Sequence, residues 1–319
     1  MLRRSPLLVV IFMVSMFFLL PSSIPAQTAE EEPYYSQLTR AVARLEQHVS
    51  TCVPGLEWSR EDNVTVGSAF FVEDSFKGQS RFFIVTARHN VENAPGDLFA
   101  RVQKIATGKD YAVLILPKSL WTFHPTATPQ GHFPVDVAVM QITIQPFIKA
   151  FLNCPSGGKD GECGRDDKTN RPKENQLVGS PSVLERVIFL GFPGGEVAKD
   201  ALEPFARGGL VAYTTTSPDY LTIDNKLYPR GSAYLIDATT LSGNSGGPVL
   251  REPLPLKSGV YVWGLVTGGS RPELGRHYTI VTRPEKIAET LAHTRLTSKP
   301  NNGWSTNRPS LPVRCVPDK

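Results

Sequence analysis

The stretch Leu241-Ser242-Gly243-Asn244-Ser245-Gly246-Gly247-Pro248-Val249 sets Ser245 among three glycines and a proline. It lies between two apolar runs that read as strands, Ala233 to Ala238 and Pro248 to Leu250. Glycine tolerates positive φ and leaves the backbone uncovered, so successive N–H groups can point into one open space. A serine held there is placed to attack a carbonyl, with the N–H groups of Gly243 and Ser245 receiving the oxyanion. Serine alone is a weak nucleophile. It needs a base, and the base needs a group that orients it. Two upstream stretches offer them. His89 follows the apolar run Phe83-Ile84-Val85-Thr86-Ala87-Arg88, and Asp136 opens Asp136-Val137-Ala138-Val139-Met140. His89 lies 47 positions before Asp136 and 156 before Ser245, with two barrels' worth of strand-like runs between them.

Taken together, the order His, Asp, Ser, the Thr-Ala-x-His phrase, the Asp-Val-Ala run and Gly-Asn-Ser-Gly-Gly-Pro resemble the chymotrypsin-fold serine peptidases. Within them the chain is most similar to the bacterial trypsin-like branch that includes the Deg and glutamyl endopeptidases. The likeness covers roughly residues 66 to 295. It implies an all-β fold of two packed antiparallel six-stranded β-barrels with a C-terminal helix. It also implies peptide-bond hydrolysis by His89, Asp136 and Ser245 through an acyl-enzyme, with Gly243 and Ser245 as the oxyanion hole and no cofactor or metal. Residue 244 is Asn, where relatives activated by a new amino terminus carry Asp, so that route of activation is not expected.

The resemblance also places the pocket for the side chain before the scissile bond. Thr239, Thr240 and Leu241 form one wall, and Gly264 to Gly269, with Val266 and Gly268, form the other. Cleavage after Lys or Arg requires a carboxylate where Thr239 stands. Glutamyl endopeptidases carry a histidine where Val266 stands. The resulting expectation is a preference for small or medium uncharged residues.

The nucleophile elbow of α/β-hydrolases, Gly-x-Ser-x-Gly, also fits the serine stretch, but it requires the acid and histidine after the serine. Only 74 residues follow Ser245, and Pro248 would interrupt the helix that an elbow opens. Alternative bases, His124 and His132, lack the Thr-Ala-x-His context. Two other function classes stay open: a non-catalytic binding module on the same double barrel, and an esterase using the same triad.

Arg3 and Arg4 precede the apolar run Leu7 to Leu20, and Pro21 to Ala26 offers a small-residue cleavage site. That is the pattern of a signal peptide over residues 1–26, and the run is short of the ~20 residues a spanning helix needs. A secreted or periplasmic protein is expected, touching membrane only if the segment stays uncleaved. Without that segment the formal charge falls from +4 to +2, which gives no reason to expect a nucleic-acid partner. The expected partner is a polypeptide substrate. The four cysteines are Cys52, Cys154, Cys163 and Cys315. An even count in an exported chain suggests two disulfides, Cys154–Cys163 across a short polar loop and then Cys52–Cys315.

Along the chain, Leu38, Val42, Leu45 and Val49 recur at three and four positions, which predicts a helix within an amino-terminal extension, residues 27–65. His48 falls beside that apolar stripe. Short strand-like runs from Ser68 to Thr143 predict a first barrel over 66–153. A Gly-rich, charged stretch marks a linker over 154–185. A second series of runs from Val187 to Val281 predicts a barrel over 186–295, with a helix capped by Thr282 carrying Pro284 in its first turn. The tail, 296–319, contains four prolines and no periodicity, and is too short for an added peptide-binding domain.

Overall fold

The structure, a computed structural model, describes residues 39, 41–51, 60–76, 79–103, 111–126, 132–143, 177, 179, 181–193, 204–214, 221–223, 226–229, 231–252, 261–269 and 277–305. The proposed signal segment, all four cysteines and most of the linker lie outside these residues.

The first half is one antiparallel sheet. Its strands are β1 (Val42–Thr51), β2 (Arg60–Phe76), β3 (Gln79–Thr86), β4 (Leu98–Gln103), β5 (Tyr111–Leu116), β6 (Thr122–Phe123) and β7 (Ala138–Ile142). A short helix, α1 (Arg88–Glu92), follows β3. The second half contains β8 (Arg186–Gly191), β9 (Phe205–Thr214), β12 (Ala233–Asp237), β13 (Pro248–Arg251), β14 (Val262–Gly269) and β15 (Thr279–Thr282). These six close into a barrel in the order β12-β15-β14-β13-β8-β9. A separate ribbon pairs β10 (Leu221–Ile223) with β11 (Lys226–Tyr228). The helix α2 (Pro284–Thr297) follows β15, and β16 (Trp304–Ser305) returns to the first sheet, whose order is β16-β5-β4-β1-β2-β3-β7-β6. The all-β reading therefore holds and the arrangement is consistent with a double barrel, but only the second half is a closed six-stranded barrel; the first is a half-barrel of eight strands rather than six.

The amino-terminal helix does not. Val42 to Thr51 is a strand paired with both β2 and β4. Spacing of three and four fits a helix, but Ala43 and Leu45 bury inside the first sheet beside Phe71 and Ala100, while Val42 packs on its other side. The side chains of Arg44 and Glu46 meet at 3.1 Å, and residues two apart face each other on a strand, not on a helix. Glu46 also receives Arg101 from β4 at 2.7 Å. Sheet pairing overrides the local periodicity. His48 accordingly sits on β1, edge-on to Phe99.

The second helix starts one residue later than expected. Thr282 ends β15, and Arg283 occupies the cap position with no side-chain cap bond, while Pro284 takes the first turn. Proline's missing N–H costs nothing there.

The strands bordering both halves are apolar on both faces because each face has its own core. Phe71 of β2, Ile84 of β3 and Met140 of β7 fill the first barrel. Their neighbours Phe70, Phe83 and Val139 point the other way, into a cluster shared with Leu190, Phe192, Leu250 and Leu265 of the second half. The period of two in a strand makes that division. Ile287 and Leu291 of α2 join the same shared cluster.

Candidate active site

The apolar strand β3 delivers His89 into α1 at the border of the two halves. Asp136 lies in the turn that leads into β7 and is buried. Since β3 and β7 are paired neighbours, the two residues meet. One carboxylate oxygen, Oδ1, accepts the backbone N–H of His89 at 2.9 Å, and Oδ2 lies 2.7 Å from its Nδ1. A carboxylate only accepts, so Nδ1 carries the proton and Nε2 keeps its lone pair. Burial disfavours the charged imidazole, but the hydrogen bond and charge of Asp136 outweigh it and raise the pKa above 6.5. Lys226 opposes this shift and Glu92 assists it.

The serine stretch is a turn between β12 and β13. Gly243 and Gly246 have φ of 94° and 88°. At Gly246 a Cβ would collide with Ser68 O and Thr86 Oγ1, so no side chain fits there. Among the described residues the N–H groups of Gly243 and Ser245 donate to no protein acceptor, whereas their neighbours Asn244, Gly246 and Gly247 all do. Both N–H groups are therefore left available to an oxyanion. Among the described residues Ser245 Oγ makes no hydrogen bond, so the structure brings His89 and Asp136 together but shows no bond from Ser245 Oγ to His89.

A polar clasp absent from the sequence reading joins this turn to the histidine. Ser245 O accepts Ser68 N at 2.7 Å and Asn90 Nδ2 at 2.9 Å. Asn90 also donates to Thr86 Oγ1 at 3.0 Å, and Thr86 Oγ1 donates to Ser68 O at 2.7 Å. Ser68 Oγ donates to Gly243 O at 2.7 Å while accepting Phe192 N at 2.8 Å. All three side chains are buried. The signal available in sequence was slight: Asn90 directly follows His89, and Ser68 follows Gly67, where a Cβ would overlap the Asn90 amide. Asn244 is buried and packs on Gly191.

Of the alternative histidines, His124 is engaged elsewhere. His124 offers Nε2 to Glu289 at 2.8 Å and accepts Thr126 N at Nδ1, so both ring nitrogens are engaged. His132 forms a bridge to Leu227.

The expected pocket residues are placed as follows. Thr239 Oγ1 is 3.4 Å from His277 Nδ1, and Thr239 O accepts Arg207 Nη1 at 3.0 Å. Thr240 packs against Gly269, and Leu241 is exposed. Val266 is fully buried in the core of the closed barrel, and its backbone pairs with Gly246 and Gly247. Gly268 lies along Ile280. Among the described residues no group of three His, Cys, Asp or Glu side chains is gathered that could hold a metal ion, and no helix is long and apolar enough to cross a membrane.

Residues 67–253 match the family model described as the trypsin-like peptidase domain. No curated protein matches the chain. Among solved structures, an inactive serine-to-alanine mutant of Rv3671c from M. tuberculosis H37Rv is 16% identical, with TM-score 0.42, over 83% of this chain and 91% of that one. The HtrA-type protease AlgW with decapeptide is also 16% identical, with TM-score 0.47, over 83% of this chain and 66% of that one.

Proposed function

The chain belongs to the trypsin-like peptidase domain family and is a serine endopeptidase, and from that premise we propose that His89, Asp136 and Ser245 are its catalytic triad. Ser245 Oγ attacks the substrate carbonyl and gives its proton to His89 Nε2. The oxyanion is received by the N–H groups of Gly243 and Ser245. Asp136 stabilises the imidazolium, which then protonates the leaving amine. Water, activated by His89, hydrolyses the acyl-enzyme. The observation that carries this reading is the two-point grip of Asp136 on His89, at 2.9 and 2.7 Å, which fixes the tautomer that a base requires.

We further propose that the enzyme is exported, on the strength of Arg3 and Arg4 before Leu7 to Leu20 and the small residues up to Ala26. In an oxidising compartment Cys154–Cys163 and Cys52–Cys315 would then be its disulfides.

Labelling with a fluorophosphonate, followed by mapping of the modified residue, tests the nucleophile. Modification at Ser245, abolished in Ser245→Ala, is expected, with kcat on peptides falling by about 10⁴ to 10⁶. Turnover by Ser245→Ala near that of the parent enzyme would refute the assignment. A labelled enzyme that cleaves only ester substrates would identify an esterase, and one that neither labels nor cleaves would identify a binding module.

A further inference from the structure

We propose that this protease selects an acidic side chain, Asp or Glu, immediately before the scissile bond, and that His277 and Arg207 select it. The inference rests on Ser245 as the nucleophile, because the segment Thr239–Leu241 that leads into Ser245 then borders the entering substrate side chain. Two basic side chains distant in sequence converge on Thr239. His277, just ahead of β15, brings Nδ1 to 3.4 Å from the Thr239 hydroxyl. Arg207, on β9, reaches the Thr239 carbonyl with Nη1 at 3.0 Å.

That single bond engages only part of a guanidinium fork that carries five N–H donors. Among the described residues, neither Arg207 nor His277 is paired with a carboxylate. By contrast, Arg44, Arg88, Arg101 and Arg295 each meet an acidic partner within 3.1 Å. The adjacent Thr240 Oγ1 is closed off from solvent with no hydrogen-bond partner, so the same short segment also holds an unused polar group. A carboxylate supplies what Arg207 and His277 lack: an anion with acceptor capacity on both oxygens.

The expectation of an uncharged residue came from Thr239, set where a carboxylate would otherwise stand, and from Val266, set where a histidine would. Val266 is fully buried among Val249, Trp263 and Val281, so it presents no surface to an entering side chain. The group in position to meet a substrate charge comes instead from the far side of β14, at His277.

A set of fluorogenic peptides differing only in the residue before the cleaved bond (Glu, Asp, Gln, Leu, Lys) tests this. The parent enzyme is expected to favour Glu or Asp over Gln and Leu in kcat/KM by about tenfold to a hundredfold, the range for hydrogen bonds to charged groups. His277 is exposed, so His277→Gln is compatible with folding. In His277→Gln and in Arg207→Met the ratio of acidic to Leu substrate is expected to fall about tenfold or more, with the double variant near unity. The ratio is read within each variant, so general damage lowers both arms together and leaves it unchanged. A parent profile led by Leu, Gln or Lys overturns the inference, as does an unchanged ratio in both variants. Fluorophosphonate labelling separates the two readings. A labelled Ser245 with a non-acidic profile sinks only the specificity, while an unlabelled Ser245 sinks the triad as well.

Discussion

At the scale of single residues, the site depends on which nitrogen of His89 holds its proton. In the proposed mechanism only neutral His89 can take the proton of Ser245, and Asp136 raises its pKa above 6.5. Activity should therefore climb as pH rises through a value above 6.5. Asp136→Asn removes the anion while burial of the ring persists, so the acidic limb of kcat/KM should shift to lower pH. Meanwhile kcat should fall by about 10⁴. An unshifted limb in that variant would show that another group sets it. Asn90 acts on the other partner. Asn90→Ala deletes the bonds to Ser245 O and Thr86 Oγ1 and leaves Ser68 N as the remaining donor to that carbonyl. Loss of positioning on this scale can cost up to about 10² in kcat, with KM little changed. A lowered Tm with unaltered kcat would make Asn90 merely structural. His89, Asp136 and Ser245 were legible in sequence because each sits in a local phrase. Ser68, Thr86 and Asn90 were not, because their hydrogen bonds join residues as many as 175 positions apart.

At the scale of elements, the carboxy-terminal segment behaves unlike a tail. Asn301 pairs alongside Ile142, and its N–H and C=O bond Gln141 O at 2.9 Å and Thr143 N at 2.7 Å. Three residues on, Trp304 pairs with Leu114 of β5. The segment thus spans the gap between β5 and β7, two strands of the first sheet that do not pair with each other. Asn301 is buried, donates Nδ2 to Ile115 O at 2.7 Å, and accepts Gly303 N at 3.1 Å. Asn301→Ala would leave buried backbone groups without partners, which typically costs about 1–3 kcal/mol. A correspondingly lower midpoint in urea unfolding is expected, with unchanged midpoint as the contrary result. Proline-rich composition without periodicity hid this strand, since two residues carry no readable period. The same weakness of local pattern gave β1 a helical reading. Apolar spacing of three and four is also what a strand shows when both its faces are covered.

At the scale of the whole molecule, the two halves share one apolar cluster, and α2 from the end of the chain packs into it. Arg295 of α2 also reaches back to buried Asp74 of β2 at 2.6 Å. A molecule so joined should unfold as one unit. Trp121 belongs to the core of the first barrel and Trp263 to that of the second, which gives each half its own probe. Variants retaining only Trp121 or only Trp263 of the four tryptophans should report the same thermal midpoint, coincident with a single calorimetric transition. Separate midpoints would show that the halves fold independently. The proposed site lies on the seam, with His89 and Asp136 from one half and Ser245 from the other, so its geometry depends on that docking.

The sequence by itself determined the all-β class and the two series of strands, and it pointed to the proposed triad and its proposed oxyanion donors. Each of these is written in local chemistry: glycines where φ must be positive, alternation of apolar residues, and a histidine or aspartate at a strand end. Only the tertiary structure decided that Val42–Thr51 is a strand, that Asn301–Ser305 completes the first sheet, and that Ser68, Thr86 and Asn90 bind the nucleophile turn. It also decided that Val266 faces the core while His277 and Arg207 meet at Thr239. The physical reason is common to all of them. Which face of a strand is buried, and which distant polar group satisfies a buried one, depend on neighbours supplied by the fold, and no local spacing records who those neighbours are.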